Sequence, residues 1–478
     1  MDKNNIIGFV LIALVLIGFT WYQQPSAEEQ RAAFVQDSIA QVTKAKAEKQ
    51  AKLAEAARQK AIKQAIAEDT TSLFYNALRG QAESIVLKNE KIELTLNTKG
   101  ATVEKAVIKG FDDYKGNKEI TLFDGEDQKL SYTLSAKETN ISTSDLYFVP
   151  SAVTDSTVTF TAEAAQGKSL TIEYRLGADY MLHMKMYAEG MQGLFAPGTQ
   201  TMDVNWKDKC RQQEKGFMFE NRYATLTYHN TDGGTDYLSE TSAEEDEPTE
   251  EKTDWIAFKN QFFSAVMIAK DNFDKGALLT SVPQEKGSGY PEQYEAKLKA
   301  FFAPAGHKPS ELELYNGPND FRLLKRVEKE SAFGKELEMQ RLVYLGWPLF
   351  RIINRWFTIY VFDFLTGLNI NMGIVLILIT LLLKFITFPM VKKSYMSSAK
   401  MRVLKPKLEA ATAQYNKPED QMQKQQAMMA EYSKYGVSPL SGCLPMLIQM
   451  PIWIAMFTFV PNAIQLRGES FLWVSGPS

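Results

Sequence analysis

Cysteine is nearly absent from this chain, with two residues, Cys210 and Cys443, among 478. The hydropathy pattern assigns them to different compartments, so no disulfide is expected between them. Histidine is almost as scarce: His183, His229 and His307 are widely scattered and match no metal-ligand spacing. The chain also lacks a Walker loop, a GxGxxG fingerprint and a GxSxG nucleophile elbow. Residues distant in sequence still converge in space, so these absences lower the expectation of an enzyme without removing it. The reading is a non-enzyme with no cofactor. An excess of one charge is missing too. The formal net charge is -3, so nothing global points to a nucleic-acid substrate.

Long apolar runs are missing from the middle of the chain and concentrated at its ends, a layout hidden by the ordinary hydrophobic content of 45%. Residues 6–22 carry no charged side chain and end in Trp21 and Tyr22. At about 1.5 Å per residue they just cross a thin hydrocarbon core. They read as a retained anchor (1–25) rather than a cleaved signal, because no clean small-residue cleavage site follows. Residues 26–81 form an Ala/Lys/Glu-rich tether, a solvated helix or loosely ordered spacer. From 82 to 335 the period becomes two: Ile92, Leu94 and Leu96 alternate, as do Val158 and Phe160, and Leu170, Ile172, Tyr174 and Leu176. Asp124-Gly125 and Asn316-Gly317-Pro318 punctuate these runs as turn signals. Many strands at this length predict a β-sandwich domain, with the acidic stretch 244–251 as a mobile surface loop.

Residues 336–370 carry an amphipathic helix. Leu349, Phe350, Ile353, Trp356, Phe357, Tyr360, Val361 and Phe364 recur at helical spacing, with Arg351, Asn354, Arg355 and Thr358 on the other face. A strong moment with tryptophan and arginine describes a helix lying in a membrane interface. A second span follows over 371–391, with one internal charge, Lys384. Lys392, Lys393, Lys400, Arg402, Lys405 and Lys407 come next without an acid, so the positive-inside rule places residues 392 onward in the cytoplasm and the β-domain outside. Residues 392–436 read as a basic helical hairpin broken at Asn416-Lys417-Pro418, with Gly436 ending its second helix. A third span covers 437–467 with Pro445 and Pro451 inside it, and 468–478 emerges on the exported side. The fold class is α+β: a transmembrane helical bundle with three spans, a large exported β-domain and a cytoplasmic hairpin.

The run KSYMSSAKMRVLKPKL, followed by YGVSPLSGCLPMLIQMPIWIAMF, resembles the core of the YidC membrane-protein insertase family. The family's L-P-x-x-I-Q-M-P signature corresponds here to Leu444, Pro445, Ile448, Gln449, Met450 and Pro451. The stretch 253–268 is similar to the family's tryptophan-to-phenylalanine strand pair, and 315–318 to its Gly-Pro turn. The resemblance implies a periplasmic β-supersandwich in a cell inner membrane protein whose substrates are nascent membrane proteins. The Sec translocon, the ribosome and membrane lipid are the further partners it implies. The family continues through a hairpin and three more spans beyond the point where this sequence stops. Where it carries a functional arginine, this sequence has Lys384, which keeps the charge but not the bidentate fork.

An ammonium inside a bilayer costs on the order of 3 kcal/mol, so it should face protein or water. Thr380, Lys384 and Thr387 follow at i, i+4 and i+7, on one helical face. With Gln449 from the next span they would line the hydrophilic, positively charged groove that the resemblance implies. Two plainer readings stay open. Lys384 lies on the order of 10 Å from the cytoplasmic end, within snorkelling reach. Gln449 is equally suited to an interhelical hydrogen bond. A rival reading of the whole chain is a membrane-tethered carbohydrate-binding or carbohydrate-active protein, for which a convergent His/Glu cluster would speak. A channel or transporter subunit fits less well, since no repeat is detectable.

Overall fold

The computed structural model describes residues 74–470, apart from 138, 166, 239–244, 414, 416–419 and 437–443. The expected anchor, the tether as far as residue 73, the break at 416–418 and Cys443 lie outside the described residues. The chain divides into two units, Met1–Tyr75 and Asn76–Ser478, and the sheets and helices described belong to the second.

Among the described residues the strands form three antiparallel sheets, of four, nine and six strands. The predicted alternation is realised: Ile92, Leu94, Leu96, Val158, Phe160, Leu170, Ile172, Tyr174 and Leu176 are all buried. The nine-stranded sheet has Thr253–Lys259, Phe263–Phe273, Ser310–Pro318 and Met181–Glu189 side by side at its centre. The six-stranded sheet packs face to face on it: Trp206 stacks on Phe258 at 3.8 Å between ring centroids, and the Tyr132 hydroxyl donates to Met184 Sδ. The four-stranded sheet closes one end, where the Tyr174 hydroxyl reaches Ala101 O at 2.8 Å.

Two turn expectations are corrected. Asn316-Gly317-Pro318 is not a turn but the end of Ser310–Pro318, in register with Phe263–Ala265. Glycine is required there by packing, since a Cβ at Gly317 would lie 2.7 Å from the Tyr315 ring and 2.8 Å from that of Tyr180. The acidic stretch is not a free loop. Glu245–Pro248 pairs with Leu278–Ser281 as the edge of the six-stranded sheet, where charge discourages further strand addition.

Short helix α1 (Phe217–Asn221) lies within the β-domain, and α2 (Phe321–Glu330) follows its last strand, capped by Asp320 Oδ1, which accepts from Leu323 N at 2.6 Å. Residues 331–346 then form an irregular strap over the nine-stranded sheet, rather than the start of the amphipathic helix. Trp255 Nε1 donates to Leu337 O at 2.7 Å, and the Glu328 carboxylate accepts from the amides of Leu337, Glu338 and Met339. The helix itself starts at Pro348 and is built of α3 (Pro348–Ile353), a π-helical turn (Asn354–Thr358) and α4 (Ile359–Thr366). Next come α5 (Met372–Thr412), α6 (Gln421–Lys434) and α7 (Leu444–Phe459). Helix α5 is continuous for 41 residues through Pro389 and Pro406, so the stretch expected as the second span and the stretch expected as the first arm of the basic hairpin form one rod. Its lower half packs on α6 through Leu404 and Leu408 with Met401, Met428 and Tyr432. Among the described residues, α5 is the one helix long and apolar enough to cross a membrane.

The predicted third span ends earlier than expected. Helix α7 stops at Phe459, where Pro461 breaks the pattern and Asn462 Nδ2 donates to Thr458 O at 2.8 Å. Residues 460–467 turn away and dock on the β-domain. Gln261 Nε2 donates to Pro461 O at 2.6 Å, and Arg467 Nε meets Glu214 Oε1 at 2.6 Å.

Candidate functional site

Helix α5 begins under an Asn371 cap, whose Oδ1 accepts from Gly373 N at 2.9 Å. Val375, Ile379, Leu383 and Thr387 repeat every fourth residue and make up its buried stripe, while α4 and α7 are its neighbours on this side. The expected site residues divide around this stripe. Thr387 belongs to it, and its hydroxyl donates to Leu383 O at 2.9 Å, one turn back. Thr380 is half-buried and donates to Leu376 O at 2.8 Å in the same manner. Both hydroxyls are therefore satisfied by their own helix. Lys384 is exposed, amid the exposed apolar side chains of Leu381, Phe385 and Phe388. Its ammonium has no carboxylate within ion-pair distance among the described residues. Gln449 is half-buried on α7. No hydrogen bond joins the side chains of these four residues to one another.

What the sequence reading missed lies one helix earlier. Asn354 and Thr358, which the spacing puts on the face opposite the apolar stripe, are both almost completely buried. Asn354 Nδ2 donates to Ala455 O at 2.8 Å, to Leu345 O at 3.1 Å and to Thr458 Oγ1 at 3.2 Å, tying the strap, the π-turn and α7 at one atom. Phe362 supports the joint, with its ring edge-on to Phe459 at 5.2 Å. The exposed face is the apolar one: Trp347 and Trp356 are 72% and 70% exposed, alongside Leu349, Ile352, Tyr360 and Phe364. The available signal was the pairing of Asn354 with Thr458, two polar residues inside otherwise apolar helices.

The β-domain does bring a histidine and a glutamate together. His183 Nδ1 lies 2.9 Å from Glu313 Oε1, beside a cavity of about 310 Å³ that Arg175, Lys185 and Glu311 also line. Glu313 is wholly buried and accepts from Ser331 Oγ at 2.6 Å and Ala332 N at 2.9 Å as well. Burial pushes its carboxyl up, but these bonds outweigh burial and hold it below the usual carboxylate range. With its acceptor capacity spent on the start of the strap, Glu313 acts as a structural staple. Similarly, His229 Nδ1 meets Asp254 Oδ2 at 3.1 Å, and Asp254 also takes Lys335 Nζ of the strap at 3.1 Å. Among the described residues, no group of three or more His, Cys, Asp or Glu side chains is placed to hold a metal ion.

The comparisons with known proteins bear on this architecture as a whole. The family model described as the YidC periplasmic domain matches residues 84–360, and the one described as 60Kd inner membrane protein matches residues 364–476. A protein of Phocaeicola vulgatus named membrane protein insertase YidC is 48% identical over 99% of this chain and 76% of its own length. A Bacteroides fragilis protein of the same name is 44% identical over the same shares. Among solved structures, a galactose mutarotase related enzyme from Lactobacillus acidophilus covers 49% of this chain and 97% of its own, at 8% identity and a TM-score of 0.30. A likeness that slight decides nothing about the β-domain. The two family models and the near-complete alignments do decide the family: this chain belongs to the YidC membrane protein insertases of the inner membrane, proteins that carry out no covalent catalysis.

Proposed function

We propose that this insertase acts through a hydrophilic, positively charged face of α5 centred on Lys384, with Thr380, Thr387 and Gln449 lining the path. One observation carries the reading: an ammonium with no counter-ion among the described residues stands in the apolar half of the one described helix long and apolar enough to cross a membrane. Such a charge is retained in hydrocarbon only where water or an acidic partner meets it. A polar segment of a nascent membrane protein entering beside it exchanges bulk water for a wet surface, and its acidic residues gain an attractive charge. No nucleotide is needed for that exchange.

The topology that supports this has three spans, at 6–22, in the upper half of α5 and around α7. The N-terminus and the basic arm of α5 with α6 are cytoplasmic, and the β-domain is periplasmic. Lys392, Lys393, Lys400, Arg402, Lys405 and Lys407 on the arm suit an anionic lipid surface, a ribosome or the Sec translocon. The test is complementation in cells depleted of their own insertase, scoring insertion of a small acidic-tailed membrane protein. The chain is completed with the family's C-terminal helices, and variants are compared at matched membrane levels. Lys384→Arg is expected to support insertion, while Lys384→Ala and Lys384→Glu reduce it at least about tenfold, roughly 1.4 kcal/mol. Full activity of Lys384→Ala would return Lys384 to a snorkelling role.

A further inference from the structure

We propose that the cavity where the strap meets α3 is a binding site for the phosphate group of an anionic phospholipid, held between Arg351 and Arg355 with Arg341 beside them. The cavity measures about 150 Å³, and Thr235, Gln340 and Trp347 also line it. That volume suits a headgroup phosphate and excludes a whole lipid.

The charge balance is one-sided. Four cations, the three arginines and Lys259, line the cavity, and no aspartate or glutamate does. Glu338 is the acid at hand, and Arg341 already takes it, Nε to Oε2 at 2.6 Å. Arg351 and Arg355 stand four residues apart on one helical face, both half-buried, with no carboxylate within ion-pair distance among the described residues. Burial, then the charge of Arg341, holds the Arg351 guanidinium below its ordinary proton affinity, with Glu338 pulling the other way and Arg355 adding a smaller push. Two planar guanidinium forks lining one cavity suit a phosphate, which each can bind through two oxygens, better than a monovalent halide. The wall is also short of partners: Gln340 Oε1 and Thr235 Oγ1 are buried and make no hydrogen bond among the described residues. A headgroup hydroxyl would satisfy the first, and a headgroup oxygen the second.

The lipid, rather than a soluble phosphate, is favoured by what surrounds the mouth. Trp347 lines the cavity and is largely exposed, and the exposed Leu349, Ile352 and Trp356 continue the same apolar surface. Tryptophan beside arginine at such a mouth suits the boundary between acyl chains and headgroups. This part rests on the reading of α3 to α4 as a helix at the membrane surface.

The test uses the full chain in uncharged detergent, titrated with dioctanoyl phosphatidylglycerol, dioctanoyl phosphatidylcholine or inorganic phosphate, with retained lipid counted by native mass spectrometry. Phosphatidylglycerol is expected to bind at least about tenfold more tightly than phosphatidylcholine, and inorganic phosphate should not displace it at equal concentration. The double variant Arg351→Gln/Arg355→Gln should bind the two lipids alike, Arg351→Lys/Arg355→Lys should keep part of the preference, and Lys384→Ala should keep all of it. Equal binding of the two lipids by the unmodified chain would overturn the site without depending on any variant's folding. Displacement by phosphate alone would overturn the lipid assignment. A separate readout checks the surface reading: Trp356 should be quenched by brominated phosphatidylcholine in vesicles, and an unquenched Trp356 would remove the lipid from reach. Loss of the lipid preference while the Lys384 series still behaves as expected would sink this site and leave the insertase mechanism standing.

Discussion

Single residues hold the parts of this protein together where apolar packing alone would leave a joint loose. Asn354 is the clearest case, because one amide group serves two backbone carbonyls and a threonine hydroxyl in a site closed to water. Replacing it with alanine leaves the Thr458 hydroxyl, with its single proton, to serve the carbonyls of both Leu345 and Ala455, at a cost of about 1–3 kcal/mol. A lower midpoint of detergent-phase unfolding for Asn354→Ala, with α7 exchanging its amides faster, is the expected outcome. Within the β-domain, burial pushes the Glu292 carboxyl up from 4.5 to about 7, although the Ser281 hydroxyl donates to it. Its folded form thus holds a proton that the unfolded chain would release. This contribution to stability is complete below pH 4.5 and is lost as pH rises through about 7. Glu220, raised by burial to about 8, carries the same trend slightly higher. Thermal unfolding followed between pH 5 and 8 should show Glu292→Gln with a shallower decline than the unmodified chain. Neither role was legible in the sequence, since nothing local distinguishes Glu292 from the exposed glutamates around it.

At the scale of elements, the helix from Pro348 to Thr366 keeps the two faces its periodicity predicts, but part of the polar face is covered by α7. Its apolar and polar faces were readable from spacing, but which of them is buried was not. The π-turn inserts an extra residue per turn, so the register of α4 is rotated relative to a plain α-helix. The polar pair Asn354 and Thr358 faces α7, and the tryptophans are left outside. Single-tryptophan variants make this measurable. Trp347 and Trp356 should be quenched by brominated lipid, and Trp255, which is wholly buried in the nine-stranded sheet, should not. A similar lesson comes from Gly317. The dipeptide Gly-Pro is a turn signal by composition, but here glycine is present because two tyrosine rings close over it. Gly317→Ala should therefore destabilise the β-domain by about 1–3 kcal/mol through overpacking, read as a lower denaturant midpoint with unchanged slope.

Across the whole molecule, the segment after α7 fastens the helical part to the β-domain. Arg467 is nearly buried, lies over the Phe263 ring at 5.4 Å and pairs with Glu214, whose carboxyl burial raises in spite of that partner. Removing the cation leaves an uncompensated buried acid, which costs about 3 kcal/mol locally. Arg467→Ala should accelerate amide exchange across residues 460–467 while leaving the central strands protected. The composition, the alternation of buried residues and the apolar run of α5 were determined by the sequence alone, because each depends on neighbours a few positions away. The family signature was legible for the same reason, being a short continuous string. The tertiary structure alone decided three things: the docking of the strap, the inward turn of Asn354, and the gathering of Arg341, Arg351 and Arg355. Each depends on contacts between segments distant in sequence, and local periodicity carries no information about which distant surface will cover a given face.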